Sequence, residues 1–216
     1  MAITILECEQ RSPEWYAARL GMPTASEFAT VLAFKGDARA KQGRMTYMRK
    51  LAGERLTRRP MDSYTNAHME RGIAMEQEAR EAYSIIADAE VKRVGFIFNN
   101  SKGCSPDGLV GKKGMVEIKT ALPHILINLL LHDEFPAEHK AQCQGNLWVA
   151  ERDWIDIAIY NGDKNPDDAT AIGLPLFVKR AKRDETYIKD LDVAVRQFND
   201  ELNEMVEKVK RYGGIK

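Results

Sequence analysis

Only three cysteines occur in the 216 residues, Cys8, Cys104 and Cys143, far apart and without C-x-x-C spacing. That excludes a disulfide framework, offers no zinc site and cannot supply the four thiolates of an iron–sulfur cluster, so they read as free thiols in a reducing cytoplasm. The four histidines show no metal-ligand spacing either. Charge of one sign is absent as an excess: 32 basic and 32 acidic residues cancel, so no global field attracts a polyanion and any such footprint must be local. The longest apolar run, Ile125 to Leu131, is too short to span a bilayer, and the N-terminus lacks the basic and apolar regions of a signal peptide. A soluble, cytoplasmic protein without a membrane partner is expected. Repeats, low-complexity tracts and linkers are also missing, and 44% hydrophobic content over this length predicts one domain spanning 1–216.

Against these absences stands one dense motif. Ser105-Pro106-Asp107-Gly108 is followed by Glu117-Ile118-Lys119 on adjoining β segments. Two carboxylates at short range suit a hard divalent cation such as Mg²⁺, and a neighbouring ammonium can orient a water and offset charge on a phosphorane. Side chains alternate along a strand, so Glu117 and Lys119 share a face and Ile118 takes the other. The hairpin is expected to pair Met115–Thr120 with Gly103–Val110 through Gly111-Lys112-Lys113-Gly114. A symmetric two-residue turn would set Asp107 opposite Ile118, on the wrong face. Asp107 meets Glu117 only if the turn holds an odd number of residues or the Pro106-Asp107-Gly108 stretch is bulged, and proline and glycine favour the bulge.

Elsewhere the pattern predicts short helices over Glu14–Arg19, capped by Ser12 with Pro13 in first position, and from Thr24. Longer helices are expected over Thr46–Leu56, Met69–Ile86, Pro123–His132 and Pro136–Ala150. Val91–Asn99 alternates as a strand, Trp154–Tyr160 reads as a sheet centre, Asn161–Asp168 as a loop and Ile172–Val178 as an edge strand containing Pro175. Ile188, Leu191, Val195, Phe198, Leu202, Met205 and Val209 form an a/d stripe, better explained by a helix laid on its own domain than by a coiled coil, and ended by Gly213-Gly214. Lys35–Arg59 carries nine Lys or Arg, favoured as phosphate-contacting. Lys179–Arg183 is a second basic cluster, as readily a solvated face as a DNA contact.

These motifs, with Arg19-Leu20-Gly21, Thr24-Ala25-Ser26-Glu27, Gly72-x-x-x-Glu76-x-x-Ala79-Arg80 and Ala141-Gln142-x-Gln144 before Trp148-Val149, resemble the family of phage lambda exonuclease and related YqaJ-like viral recombinase nucleases, within the PD-(D/E)xK superfamily. The resemblance implies an α/β fold, a mixed sheet flanked by helices. It also implies Mg²⁺-dependent (alternatively Mn²⁺-dependent) 5′→3′ digestion of one strand of duplex DNA to mononucleotides, with two ions per site, and a ring-shaped homotrimer that passes the 3′ single strand to an annealing protein. By the same resemblance, Glu76 and Gln142 join Asp107, Glu117 and Lys119 in the active site, with Glu76 and the Ile118 carbonyl as further metal ligands. Arg19, Ser26 and Ser105 form a pocket for the 5′-terminal phosphate, and Met69 is a strand-separating wedge. Each has a plainer reading: Glu76 an exposed helix carboxylate, Ser26 a helix cap, Met69 a core methionine. An endonuclease of restriction or repair type and a non-catalytic DNA-end-binding protein are the rival functions.

Overall fold

The computed structural model describes residues 3–61, 67–99, 101–163 and 173–212, with the side chains of all of these except 35, 67–69 and 73. It is a mixed α/β fold built on two sheets. Strands β1 (Thr4–Leu6), β3 (Phe96–Asn99) and β4 (Lys102–Cys104) form a three-stranded sheet in the order β1-β3-β4. The larger sheet runs β2-β5-β6-β7-β8, from β2 (Val91–Lys92), β5 (Gly108–Val110), β6 (Gly114–Thr120), β7 (Trp154–Tyr160) and β8 (Phe177–Lys182). Only β6 and β7 pair in parallel in this sheet.

Two expected strands are therefore each split between sheets. Val91–Asn99 breaks into β2 and β3, and Gly103–Val110 into β4 and β5. Apolar residues run through both breaks, which is why alternation does not betray them. At the first break a Cβ on Gly95 would stand 2.4 Å from the Cys8 carbonyl oxygen, so glycine admits that close approach. The Gln10 amide then ties the breaks together, donating to the carbonyls of Val94 (3.1 Å) and Pro106 (3.0 Å). The last strand is also displaced, from the expected Ile172–Val178 to Phe177–Lys182, though it does lie at the sheet edge. Residues 164–172 and 213–216, with most of the expected loop and the closing glycines, lie outside the described residues.

Helices sandwich the larger sheet. Helix α4 (Ala67–Ala87) lays Ala79 and Tyr83 on Val116, Ile118 and Ala158. The opposite face, with Met115 and Ile155, meets Ala141, Cys143 and Leu147 of α6 (Lys140–Ala150). Leu126 of α5 (Pro123–His132) covers Ile157 and Ile159. Side chains so enclosed contribute about 1.5–3 kcal/mol each. In α7 (Glu185–Tyr212) Ile188, Leu191, Val195, Phe198 and Leu202 are buried against the same chain, so the stripe is an internal seam; Val209 at its end stays exposed.

Helix α1 (Pro13–Ala18) starts as expected, with Ser12 Oγ accepting from Trp15 N and Pro13 at the first position. Helix α2 (Phe28–Leu32) follows a 3-10 turn at Ala25–Glu27, and α3 (Ala38–Thr57) begins eight residues before the expected Thr46, at an Asp37 cap that accepts from Ala40 N.

Candidate active site

The turn between β5 and β6 decides the site. Val110 pairs with Gly114, leaving three residues between the strands, and Gly111 takes φ +54°, a conformation suited to glycine. The same register, continued one step beyond Gly108↔Val116, sets Asp107 opposite Glu117. The odd turn, not the favoured bulge, brings the two acids to one face.

Where β5 ends, the Asp107 carboxylate extends its ladder: Oδ2 accepts from the Ile118 N–H at 2.6 Å. A residue in an extended strand directs its N–H and C=O to the same edge, so the Ile118 carbonyl points toward Asp107 as well. Glu117 is nearly inaccessible, with 3% of its side chain exposed. Its Oε1 accepts from Lys119 Nζ (2.6 Å) and Gln142 Nε2 (2.5 Å), and its Oε2 from Asn146 Nδ2 (2.9 Å). Asn146, itself buried, was not singled out in the sequence; its signal is the i, i+4 spacing from Gln142, which sets both amides on one face of α6.

The electrostatics follow from this crowding. Burial, then the nearby Glu117 charge, pushes the Asp107 carboxyl up to about 8, despite the opposing Lys119 cation and the Ile118 N–H. Burial alone would lower the Lys119 ammonium, but Glu117 and Asp107 outweigh it and hold it above the ordinary lysine value. Burial and the Lys119 charge depress His139, which the sequence reading also passed over.

Asp107, Ile118 and Lys119 line a cleft of about 560 Å³ with Glu76, Arg19, Thr24 and Lys50. Glu76 reaches it from α4 but is committed to Arg80 (2.6 Å) and Arg11 (3.3 Å). Among the described residues no group of three or more His, Cys, Asp and Glu side chains is arranged to hold a metal. The oxygens gathered at the end of β6 for a cation are those of Asp107, the Ile118 carbonyl and Glu117, the last already accepting from Lys119, Gln142 and Asn146.

The expected phosphate residues are gathered through two intermediaries. The Arg19 guanidinium stacks on the Trp15 ring at 3.9 Å and donates to Thr24 Oγ1 at 3.3 Å. Thr24 Oγ1 shares a hydrogen bond with Ser26 Oγ (3.2 Å), and Trp15 Nε1 donates to Ser105 Oγ (2.8 Å). Among the described residues no carboxylate forms a salt bridge with Arg19, and burial lowers its basicity. Trp15 and Thr24 are missed by sequence reasoning, although Trp15 stands i, i+4 from Arg19. Met69 lies outside the described side chains.

Part of each basic cluster is tied up by partners within the fold. Arg44 is buried and paired with Glu201 (2.6 Å), and Arg55 donates to the Gly21 carbonyl (2.7 Å). Lys179, Arg180 and Arg183 pair with Asp133, Asp156 and Glu185. The solvated-face reading therefore describes the second cluster better than DNA contact, while Arg39, Lys41, Arg49, Arg58 and Arg59 of the first remain exposed.

A YqaJ-like viral recombinase domain matches residues 14–153 of the chain. Among solved structures, an alkaline exonuclease, LHK-Exo, from Laribacter hongkongensis is 33% identical over 94% of this chain and 98% of its own, with a TM-score of 0.80. The same exonuclease in complex with dAMP gives 34% identity, equal coverage and 0.81. A phage-related exonuclease from Haemophilus somnus 129PT shares the fold at 13% identity, covering 87% of this chain and 96% of its own, with a TM-score of 0.66. No significant match among curated proteins is found.

Proposed function

From the premise that the chain belongs to the YqaJ-like viral recombinase family, we propose that it is a single-domain, Mg²⁺-dependent 5′→3′ exonuclease acting on linear duplex DNA. The observation that carries this reading is the meeting of Asp107, Glu117 and Lys119 at one end of β6, where Asp107 and Lys119 line a cleft shared with Arg19, which forms no salt bridge among the described residues. The donor set fits a hard cation. Two carboxylates and a carbonyl are all oxygen ligands, and the raised Asp107 carboxyl reflects burial and then the Glu117 charge, both of which a divalent cation would offset. Mn²⁺ suits the same donors. A bound ion would supply charge neutralisation at the scissile phosphate and acidify the attacking water.

The chain's own residues do the rest. Lys119 holds a fixed cation beside the reacting phosphate and orients the water. Gln142 and Asn146 lock the Glu117 carboxylate in one rotamer, so its geometry is set before substrate arrives. Arg19 clamps the 5′-terminal phosphate bidentately, with the Thr24, Ser26 and Ser105 hydroxyls in its network. Glu76 is the candidate for a second ion, which would have to displace Arg11 from it. Met69 is the candidate wedge.

A ring of three copies would keep a chain of zero net charge on its substrate, since nonspecific DNA affinity otherwise rests on phosphate neutralisation. The exposed arginines and lysine of the Lys35–Arg59 stretch would face its bore. We place the protein in the cytoplasm, delivering its 3′ strand to an annealing protein; no helix among the described residues is long and apolar enough to cross a membrane. Incubation of linear and covalently closed circular duplex, with and without Mg²⁺, tests the reading. Linear DNA alone should be digested, and only with the ion. Cleavage of the closed circle would replace it with the endonuclease, and inertness toward both with the end-binding protein.

A further inference from the structure

The cleft does not end at Tyr16. It shares Arg11, Tyr16 and Pro60 with a second hollow of about 440 Å³, within the roughly 300–1,000 Å³ that suits a small ligand or one nucleotide. Trp15 and Arg19 face the catalytic cleft, Tyr16 borders both, and Pro13 and Leu20 line the second hollow. Arg11 and Arg58 stand at its rim, and among the described residues no acidic one lines it.

We propose that this second hollow is a subsite for one nucleotide of single-stranded DNA, its base on the Tyr16 ring and its phosphate between Arg11 and Arg58. The inference rests on the nuclease reading for its substrate, since the hollow opens directly into the cleft. Three observations favour a nucleotide over a second protein surface. Tyr16 is 37% exposed and meets Trp15 edge-on, with ring centroids 5.0 Å apart, which fixes its plane and leaves a face free for stacking. The charged residues described at the rim are both cations. Arg58 has no described ion-pair partner, and Arg11 has only the 3.3 Å contact to Glu76. Both arginines also occupy left-handed backbone, φ 69° and 56°, where glycine would sit with less strain. An aromatic platform beside phosphate-binding cations is how single strands are held without sequence preference.

Binding is read apart from cleavage. A short 5′-hydroxyl oligothymidylate carrying a 3′ fluorophore is titrated by anisotropy in chelator, which keeps the 5′-phosphate pocket and any metal out of the measurement. Tyr16→Ala should weaken binding about fivefold to a hundredfold, while Tyr16→Phe should bind like the unaltered protein. Arg58→Gly should weaken binding and reduce the slope of log affinity against log salt by roughly 0.7. It should melt no lower than wild type, because glycine suits that φ, so a loss of binding is not a loss of fold. Unchanged affinity in both Tyr16→Ala and Arg58→Gly overturns the subsite, as does a Tyr16→Phe variant as weak as Tyr16→Ala. Digestion of linear duplex by the wild-type protein is scored separately. A protein that digests DNA yet binds the strand equally well in all variants loses only the subsite; one that binds through Tyr16 and Arg58 but digests nothing loses only the nuclease reading.

Discussion

Replacing Asp107 by Asn should disable the protein and, in the absence of divalent ions, make it more stable in alkaline solution. The folded Asp107 carboxyl is raised from 3.8 to about 8, chiefly by burial and then by Glu117. For a raised acid the contribution to stability is fully present below the unfolded value and is lost as pH climbs through the folded one, because the native state then carries a charge its surroundings oppose. Between about pH 4 and pH 8 the metal-free wild type should therefore lose stability relative to the Asn variant. At about 1.4 kcal/mol for each tenfold change in proton affinity, the displacement caps this loss at roughly 6 kcal/mol. The observed gain should be smaller, on the order of 2 kcal/mol, because the amide retains an oxygen for the Ile118 N–H but gives up attraction to Lys119. Urea denaturation of both proteins in chelator, at about pH 5 and about pH 9, measures it. The gap in favour of the Asn variant should widen from about pH 5 to about pH 9, and Mg²⁺ at the higher pH should stabilise wild type but not the variant. A difference that does not vary with pH, or an Asn variant weaker at about pH 9, refutes the assignment of Asp107 as a crowded carboxylate awaiting a cation.

Three further outcomes are expected. Lys119→Ala and Lys119→Gln should both lower turnover by about a hundredfold or more, since a neutral amide cannot supply the charge; a Gln variant of normal rate in single-turnover assays would remove lysine from the chemistry. Arg19→Ala should reduce the preference for 5′-phosphate over 5′-hydroxyl duplex ends by about tenfold to a hundredfold, the worth of a charged hydrogen bond; equal rates on the two ends with unaltered protein would count against the pocket. Asn146→Leu leaves a buried Glu117 oxygen without its donor, and should cost about 1–3 kcal/mol of stability in denaturant and weaken Mg²⁺ binding by calorimetry, whereas unchanged Mg²⁺ affinity would confine Asn146 to a packing role.

The parts of the site legible in the sequence are those fixed by strand periodicity. Glu117 and Lys119 share a face because they are two apart, and no tertiary context can alter that. The relation of Asp107 to them was open, since it depends on turn length, and the sequence around Lys112-Lys113 is compatible with two-residue and three-residue turns alike. The exchange of strands between sheets at Gly95 and Pro106 was invisible for another reason. Val94, Phe96 and Ile97 are buried in whichever sheet they join, so hydrophobicity records burial without saying against what. Charge was similarly mute. Arg44 reads as a phosphate contact and Arg180 as readily a solvated cation as a DNA contact, until Glu201 and Asp156, distant in sequence, come to meet them. Asn146 carries no motif, and its role exists only once α6 is laid across β6.

The three-residue link between β5 and β6 has a consequence for how such chains diverge. Surface loops ordinarily accept insertions and deletions at little cost. Here a single added residue that kept the turn at three residues would slip Asp107, and Leu109 and Val110 with it, to the opposite side of the ribbon with every motif residue still present. An alignment would score that descendant as an intact nuclease. Length changes at 111–113 should therefore be tolerated in functional lineages only where the loop absorbs them and Asp107 stays opposite Glu117.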